Sequence, residues 1–272
     1  MQTKRQIQDL LSSADVAPNR KLGQHFLVDL NLMRLLVDSA QIGPDDVVLE
    51  IGTGTGSLTE ALAERAGRVV TVELDRILAG IAQARLAAAP NVQVVNADVL
   101  SGKHNISPAV AEAVTRAQDE CQGPLRLVSN LPYDVASSVM IHLVKGPIAA
   151  ETMTVTVQKE VAERMTAGPG GKDYGTLSIF LGATGSVELL RVLKPGVFWP
   201  PPQVDSAMVH YTRDERKSRR IGDIDLFGEV IGLFMGHRRK MLRACAKQAP
   251  PELGGRDLWL EIIEHHGIDP TR

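Results

Sequence analysis

Asn130-Leu131-Pro132-Tyr133 is the tetrapeptide of this chain with the most definite chemistry. It directly follows an apolar run, LRLVS (125–129), and so stands at a strand end. An amine conjugated to an aromatic ring is a poor nucleophile, because its lone pair is delocalised. Acceptors placed at its two N–H groups draw the nitrogen toward tetrahedral geometry and free that lone pair. The side-chain oxygen of Asn130 and the carbonyl of Leu131 suit this task, and Pro132 stiffens the turn that holds them. Tyr133 offers a ring face on which a base can stack, worth roughly 1–3 kcal/mol. The matching reaction is in-line transfer of a methyl group from a sulfonium. No strong general base is needed, since the product ammonium loses its proton to water. The plainer reading is a strand-to-helix turn with a structural proline.

A second group of residues lies upstream. Glu50-Ile51 leads into Gly52-Thr53-Gly54-Thr55-Gly56, and a helical pattern follows. Glycines there let the backbone turn tightly and approach a ligand at a sheet's carboxyl edge. The dinucleotide fingerprint G-x-G-x-x-G fails, because Ser57 occupies its third glycine position. A G-x-G-x-G loop after an acidic residue looks instead like an S-adenosylmethionine loop. Glu73 ends the next apolar run, 21 residues past Gly52, where a carboxylate can accept both ribose hydroxyls. Asp98, after the third run, can accept from an exocyclic adenine amine. Each acid alone could simply cap the helix that follows it, and Asp75 is the best candidate for a plain N-cap. Three polar groups at three successive strand ends converge on one crevice, which favours nucleoside binding.

The elements that must position these groups follow from the apolar pattern. VVLEI (47–51), VVTVEL (69–74), VQVV (92–95), LRLVS (125–129) and TMTVTV (152–157) read as strands. SLTEALAERA (57–66) and RILAGIAQARLAAA (76–89) have helical spacing. Alternation of this kind predicts βαβ units and a mostly parallel, Rossmann-like α/β sheet. The stretch 101–123 reads as a loop plus one short helix. SVELLRVL and VDSAMVHYT read as a late antiparallel hairpin joined by KPGVFWPPP. From Ile224 onward the pattern is helical. The expected organisation is a methyltransferase domain over 1–216 and a small helical RNA-binding domain over 217–272.

Composition narrows the class. The 272 residues are 44% apolar and 23% charged, with a net charge of −2, which excludes a disordered chain or a rod. No apolar stretch is long enough to span a membrane, and the N-terminus carries no apolar leader, so a cytoplasmic protein is expected. Cys121 and Cys245 are the only cysteines, too few and too far apart for a disulfide framework or a metal site. The seven histidines show no ligand spacing, so no metal is expected. Charge is uneven: residues 191–247 hold 12 Lys/Arg against 6 Asp/Glu. A basic region on a neutral chain can follow a phosphate backbone, or can be only a solvated helix face.

With these motifs in place, the chain resembles the small-subunit ribosomal RNA adenine dimethyltransferases over about 19–247. KLGQHFL (21–27), EIGTGTGSLT (50–59), VELD (72–75), ADVL (97–100) and NLPY (130–133) match the family's cofactor and catalytic motifs in order. QKEVAERMTAGPGGKDYGTLS (158–178), FWPPPQVDSAMV (198–209) and HRRKMLR (237–243) are its more specific segments, the last matching a basic helix. The resemblance implies S-adenosylmethionine as cofactor, S-adenosylhomocysteine as product, and dimethylation at N6 of two adjacent adenosines near the end of small-subunit rRNA. By position it implies Gln24, His25 and Leu27 beside the methionine end and Gly52 and Gly54 behind the cofactor. Glu73 would hold the ribose, and Asp98 with Val99 the adenine. Asn130, Leu131 and Pro132 would form the catalytic turn, with Tyr133 and Phe198 sandwiching a flipped adenine. Lys159, Arg164, Arg238, Arg239, Lys240 and Arg243 would follow the RNA backbone. A monomer acting on rRNA within a pre-ribosomal particle is the expected arrangement.

Asp134 departs from the family, which usually has Asn there. Its carboxylate either retunes the reaction or caps the next helix through Ala136 and Ser137. Thr53 replaces a frequent proline and is tolerable. His25 could be a packed polar residue, and Trp199 reads as packing. Two other functions compete. A large-subunit methylase of the antibiotic-resistance type usually carries NIPY. A non-catalytic nucleic-acid-binding relative would show erosion of the glycine loop or of Asn130. DNA adenine and protein glutamine methylases favour proline directly after the Asn or Asp, where this chain has Leu131.

Overall fold

The computed structural model describes every residue except Arg20, Lys21, Lys103, His104, Arg239 and Arg272. The described chain runs α1 (Lys4–Ser13), β1 (Phe26–Leu27), α2 (Leu30–Ser39), β2 (Val47–Ile51), α3 (Ser57–Ala63), β3 (Arg68–Glu73) and α4 (Arg76–Leu86). It continues through β4 (Val92–Asn96), α5 (Pro108–Glu120), β5 (Leu125–Asn130), α6 (Ala136–Lys145), β6 (Thr152–Gln158), α7 (Lys159–Thr166) and α8 (Thr176–Thr184). The last part is β7 (Gly185–Leu193), β8 (Phe198–Trp199), β9 (Ser206–Arg213), α9 (Glu215–Ser218), α10 (Ile224–Met235), α11 (Leu242–Ala246) and α12 (Gly255–His265).

Seven strands form one sheet in the order β4-β3-β2-β5-β6-β9-β7. The first five are parallel, while β9 runs antiparallel to both β6 and β7. The expected mostly parallel sheet with a late antiparallel hairpin is therefore present. Every residue of β2 is buried, because helices cover both faces and alternate side chains feed opposite cores. Val47, Leu49 and Ile51 join one cluster with residues of α5 and α6. Val48 joins the other with residues of α2 and α3. The chain moves outward from β2 through β3 and β4, then returns to β5 on the other side of β2. That reversal opens a crevice at the carboxyl ends of β2 and β5, which is where α/β sheets bind ligands.

Three expectations need correcting. The stretch 101–123 contains α5, a 13-residue helix with Pro108 in its first turn and Val110, Ala113, Val114 and Ala117 buried. The i, i+3, i+4, i+7 stripe was present, but two of its four positions are alanine, which mutes the contrast. The segment HRRKMLR is not a helix throughout: α11 begins only at Leu242, with Met241 extended before it. KPGVFWPPP is more than a connection, since β8 within it pairs antiparallel with β1 through Phe26 with Trp199 and Leu27 with Phe198. No helix among the described residues is long and apolar enough to cross a membrane.

Candidate active site

The glycine loop after β2 lies against the NLPY turn after β5. Gly52, Gly54 and Gly56 all adopt positive φ (87°, 56° and 80°). A Cβ at Gly52 would lie 3.2 Å from the Pro132 ring, and one at Gly54 would lie 2.9 Å from the Phe26 ring. The loop is thus a cradle that only glycine leaves open. Ser129 Oγ donates to the carbonyl of Ile51 at 2.6 Å, tying β5 to the mouth of the loop.

Two carboxylates back this cradle. Glu50 is buried and accepts from Thr59 Oγ1 at 2.6 Å and Thr71 Oγ1 at 2.7 Å. Burial pushes its carboxyl up to about 8, against the opposing pull of those two hydroxyls. Glu73 accepts from the Gly54 N–H at 2.8 Å and the Asp75 N–H at 2.9 Å, one on each oxygen. One lone pair on each oxygen remains for vicinal hydroxyls. Burial raises the Glu73 carboxyl also, and the backbone N–H groups pull it back. Asp75 caps α4 through the N–H groups of Ile77 and Leu78, as its position predicts. Asp98 is exposed at the cavity wall, with Oδ1 accepting from the Leu100 N–H at 2.9 Å, and Val99 beside it is buried.

Asn130 is oriented by two groups. Its Nδ2 donates to the carbonyl of His25 at 2.8 Å, and its Oδ1 accepts from Thr156 Oγ1. A carbonyl can only accept, so the nitrogen must face His25 and the oxygen Thr156. One lone pair of Oδ1 is left over. The carbonyl of Leu131 accepts no hydrogen bond among the described residues, while its N–H donates to the Thr156 carbonyl at 3.1 Å. Both acceptors of the NLPY turn, the Asn130 oxygen and the Leu131 carbonyl, thus keep spare capacity.

Tyr133 donates to or accepts from Ser206 Oγ at 2.8 Å through its hydroxyl, and its ring lies 5.5 Å from the His25 ring at 29°. Burial pushes the Tyr133 hydroxyl above its ordinary range. His25 Nδ1 is 2.7 Å from the Pro200 carbonyl, so Nδ1 carries the hydrogen. Gln24 is braced at both ends, taking the Asn19 N–H on its oxygen and donating to Asp75 Oδ2. Leu27 is buried in β1 at the cavity wall.

One lining cavity collects Gln24, His25, Leu27, Gly52, Gly54, Glu73, Asp98, Val99 and Asn130 through Tyr133. Phe198 is the exception among the expected residues. Its side chain is 3% exposed and packs with Leu193, Met208 and Val128, outside that cavity. The β1·β8 register sets Phe198 opposite Leu27, and both join the same core cluster. Trp199 takes the other side, its ring 6.2 Å from that of Phe26, which is the packing role expected of it. Asp134 lines the cavity but caps nothing: α6 starts at an N-cap of Val135 with no side-chain bond. Sequence reasoning missed Thr156, Ser206 and Ile7. Thr156 is one of several strand threonines, and Ile7 reaches the cavity only because α1 packs over β1.

The basic residues are spread over several elements. Lys159 and Arg164 lie on α7, paired with Glu163 at 3.5 Å and Glu160 at 3.9 Å. Lys240 and Arg243 are exposed. Arg238 donates to the carbonyls of Lys172 at 2.9 Å and Gly171 at 3.3 Å. Arg239 lies outside the described residues. Among the described residues no group of three or more His, Cys, Asp or Glu side chains is placed to hold a metal ion.

Comparison with known proteins is consistent with this geometry. The model of the family described as ribosomal RNA adenine dimethylase matches residues 17–253. The chain is 37% identical over 254 residues to the ribosomal RNA small subunit methyltransferase A of Listeria welshimeri, covering 93% of this chain and 84% of that one. It is 35% identical over 267 residues to the protein of that name from Pelotomaculum thermopropionicum, covering 98% and 89%. A solved dimethyladenosine transferase from Plasmodium falciparum superposes with a TM-score of 0.67 at 25% identity, covering 89% of this chain and 78% of that one. The 23S rRNA methyltransferase ErmE superposes with a TM-score of 0.60 at 25% identity, covering 91% and 92%.

Proposed function

The chain belongs to the ribosomal RNA adenine dimethylase family, and from that membership we propose how its residues carry out the reaction. It is an rRNA adenine methyltransferase of the small ribosomal subunit, converting adenosine to N6,N6-dimethyladenosine. The targets are two adjacent adenosines near the 3′ end. The observation that carries this reading is the orientation of Asn130, whose oxygen is turned away from His25 and keeps an acceptor site.

The residues present fit S-adenosylmethionine: the cradle at Gly52 and Gly54 stays open to a ligand, and Glu73 keeps a lone pair on each oxygen. When bound, that cofactor supplies an activated methyl group on a sulfonium. Glu73 holds the ribose hydroxyls and Asp98 the adenine amine, with Val99 against the ring. Gln24, His25 and Leu27 close the methionine end. Asn130 Oδ1 and the Leu131 carbonyl accept the two N–H groups of the target amine and free its lone pair. The methyl group that the bound cofactor would supply would pass to the lone pair these acceptors free, and the amine's proton would leave to water. Tyr133 carries the flipped base on its ring. Lys159, Arg164, Lys240 and Arg243 follow the RNA backbone, and residues 217–272 form the RNA-binding unit. The enzyme works as a cytoplasmic monomer on rRNA within a pre-ribosomal particle.

The test is methyl transfer from labelled S-adenosylmethionine to small subunits that lack the modification, followed by nucleoside separation. Label in N6,N6-dimethyladenosine, lost in Asn130→Ala, is the expected result. No label in small-subunit RNA, with label entering large-subunit RNA when large subunits are offered in parallel, would overturn the substrate assignment.

A further inference from the structure

The segment 168–174, Gly-Pro-Gly-Gly-Lys-Asp-Tyr, joins α7 to α8. β6 leaves the sheet at its carboxyl edge, where Thr156 holds Asn130, and β7 enters at the opposite edge beside Thr212. α8 therefore descends along the sheet, and the loop at its start lies toward the catalytic edge. The loop does little to hold itself. Its internal hydrogen bonds are Gly171 N–H to the Gly168 carbonyl at 3.2 Å and Tyr174 N–H to the Gly171 carbonyl at 3.3 Å. A Cβ on Gly168 or Gly170 would meet nothing within 4 Å, so no neighbour presses on that side.

The guanidinium of Arg238 makes the only hydrogen bonds from residues 168–174 to the chain beyond the loop, among the described residues. Its two terminal nitrogens take two successive carbonyls, those of Gly171 and Lys172, from 67 and 66 positions away. A planar fork holds two adjacent acceptors in a fixed register, whereas an ammonium is a point charge whose donors rotate freely. Lys172, whose own carbonyl is gripped, has a side chain 91% exposed with only Asp173 near it at 3.9 Å.

We propose that Arg238 is a positioning residue that clamps the 168–174 loop, and that Lys172 is the phosphate contact it presents to the RNA. The clamp ties the C-terminal region to the loop between α7 and α8, and so fixes Lys172 relative to Lys240 and Arg243. This rests on the rRNA reading above and adds Lys172 to its contacts. It also moves Arg238 from touching the backbone to acting through another residue.

The experiment measures affinity for unmodified small ribosomal subunits across a range of salt concentrations. Lys172→Ala is expected to weaken binding and to flatten the plot of log K against log salt by roughly 0.7–0.9. Arg238→Lys keeps the charge but not the fork, and is expected to weaken binding as Lys172→Ala does. The double variant is then no weaker than either single one, because both remove the same contact. Lys240→Ala is the independent reference and is expected to add to Arg238→Lys. An Arg238→Lys variant that binds like wild type, or losses at 172 and 238 that simply add, would overturn the clamp. If Lys240→Ala, Lys172→Ala and Arg238→Ala all leave the salt slope unchanged, the RNA-backbone reading has failed, and the clamp with it.

Discussion

The backbone carbonyl of His25 accepts a hydrogen bond from Asn130 Nδ2 at 2.8 Å, across 105 positions of sequence. This contact sets the sense of the Asn130 amide, and the Thr156 hydroxyl holds the oxygen on the other side. The Asn130 side chain is thus oriented by the residue that precedes β1 and by the strand next to its own.

Thr156 bears on the site through its hydrogen bond to the Asn130 oxygen. Thr156→Val removes its donor while keeping shape, and is expected to slow single-turnover methyl transfer by roughly five- to tenfold, the value of about one hydrogen bond. Thr156→Ser restores the rate. An unaltered rate in Thr156→Val would show that the His25 carbonyl suffices.

Asn130→Ala removes the acceptor itself. Cofactor affinity, read by calorimetry, is expected to stay within a few-fold, while turnover falls by on the order of a hundredfold or more. Turnover near the wild-type value would remove Asn130 from the mechanism.

The two aromatic positions separate in kind. The Tyr133 hydroxyl only ties the ring to Ser206, so Tyr133→Phe is expected to keep most RNA affinity. Tyr133→Ala loses roughly 1–3 kcal/mol of base stacking. Phe198→Ala instead empties a core position and is expected to cost about 3–5 kcal/mol of stability by denaturant unfolding. A Phe198→Ala protein of full stability and poor RNA affinity would return Phe198 to the base slot.

Glu50 makes stability depend on pH. Its carboxyl is raised from 4.5 to about 8 by burial. Between those values the folded state binds a proton that the unfolded state has lost. Stability therefore falls as pH rises through this window, and the loss is complete only above about 8. Glu50→Gln, which never ionises, is expected to flatten the fall in unfolding midpoint from pH 5 to pH 8, leaving the smaller contribution of Glu73. Parallel midpoints in the two proteins would show that Glu50 is ionised in the fold.

Asp134→Asn is expected to change stability by less than about 0.5 kcal/mol, because the carboxylate caps no helix. A large loss in the unfolding midpoint would mean that it does cap α6.

Much of this architecture could be read before any coordinates. The strand ends at Ile51, Glu73, Asn96 and Asn130 fall within a residue or two of their apolar runs, and for the inner strands this is because a sheet covered on both faces demands apolar segments. Gly52, Gly54 and Gly56 were legible for a similar local reason, since each occupies a backbone region that side chains avoid. α5 was under-read because alanine marks a buried face weakly.

The amino-acid sequence by itself determined the order of strand, glycine loop, acid and NLPY turn, and with it the kind of chemistry. Those signals are local: each depends on a residue's own backbone preference or on its immediate neighbours. Tertiary structure alone decided which way the Asn130 amide faces, that Phe198 is core while Trp199 covers Phe26, and that Arg238 reaches Lys172 from 66 positions away. Each of these depends on strand register or on a distant backbone carbonyl. Every residue has such a carbonyl, so its position in space leaves no mark in residue type or spacing.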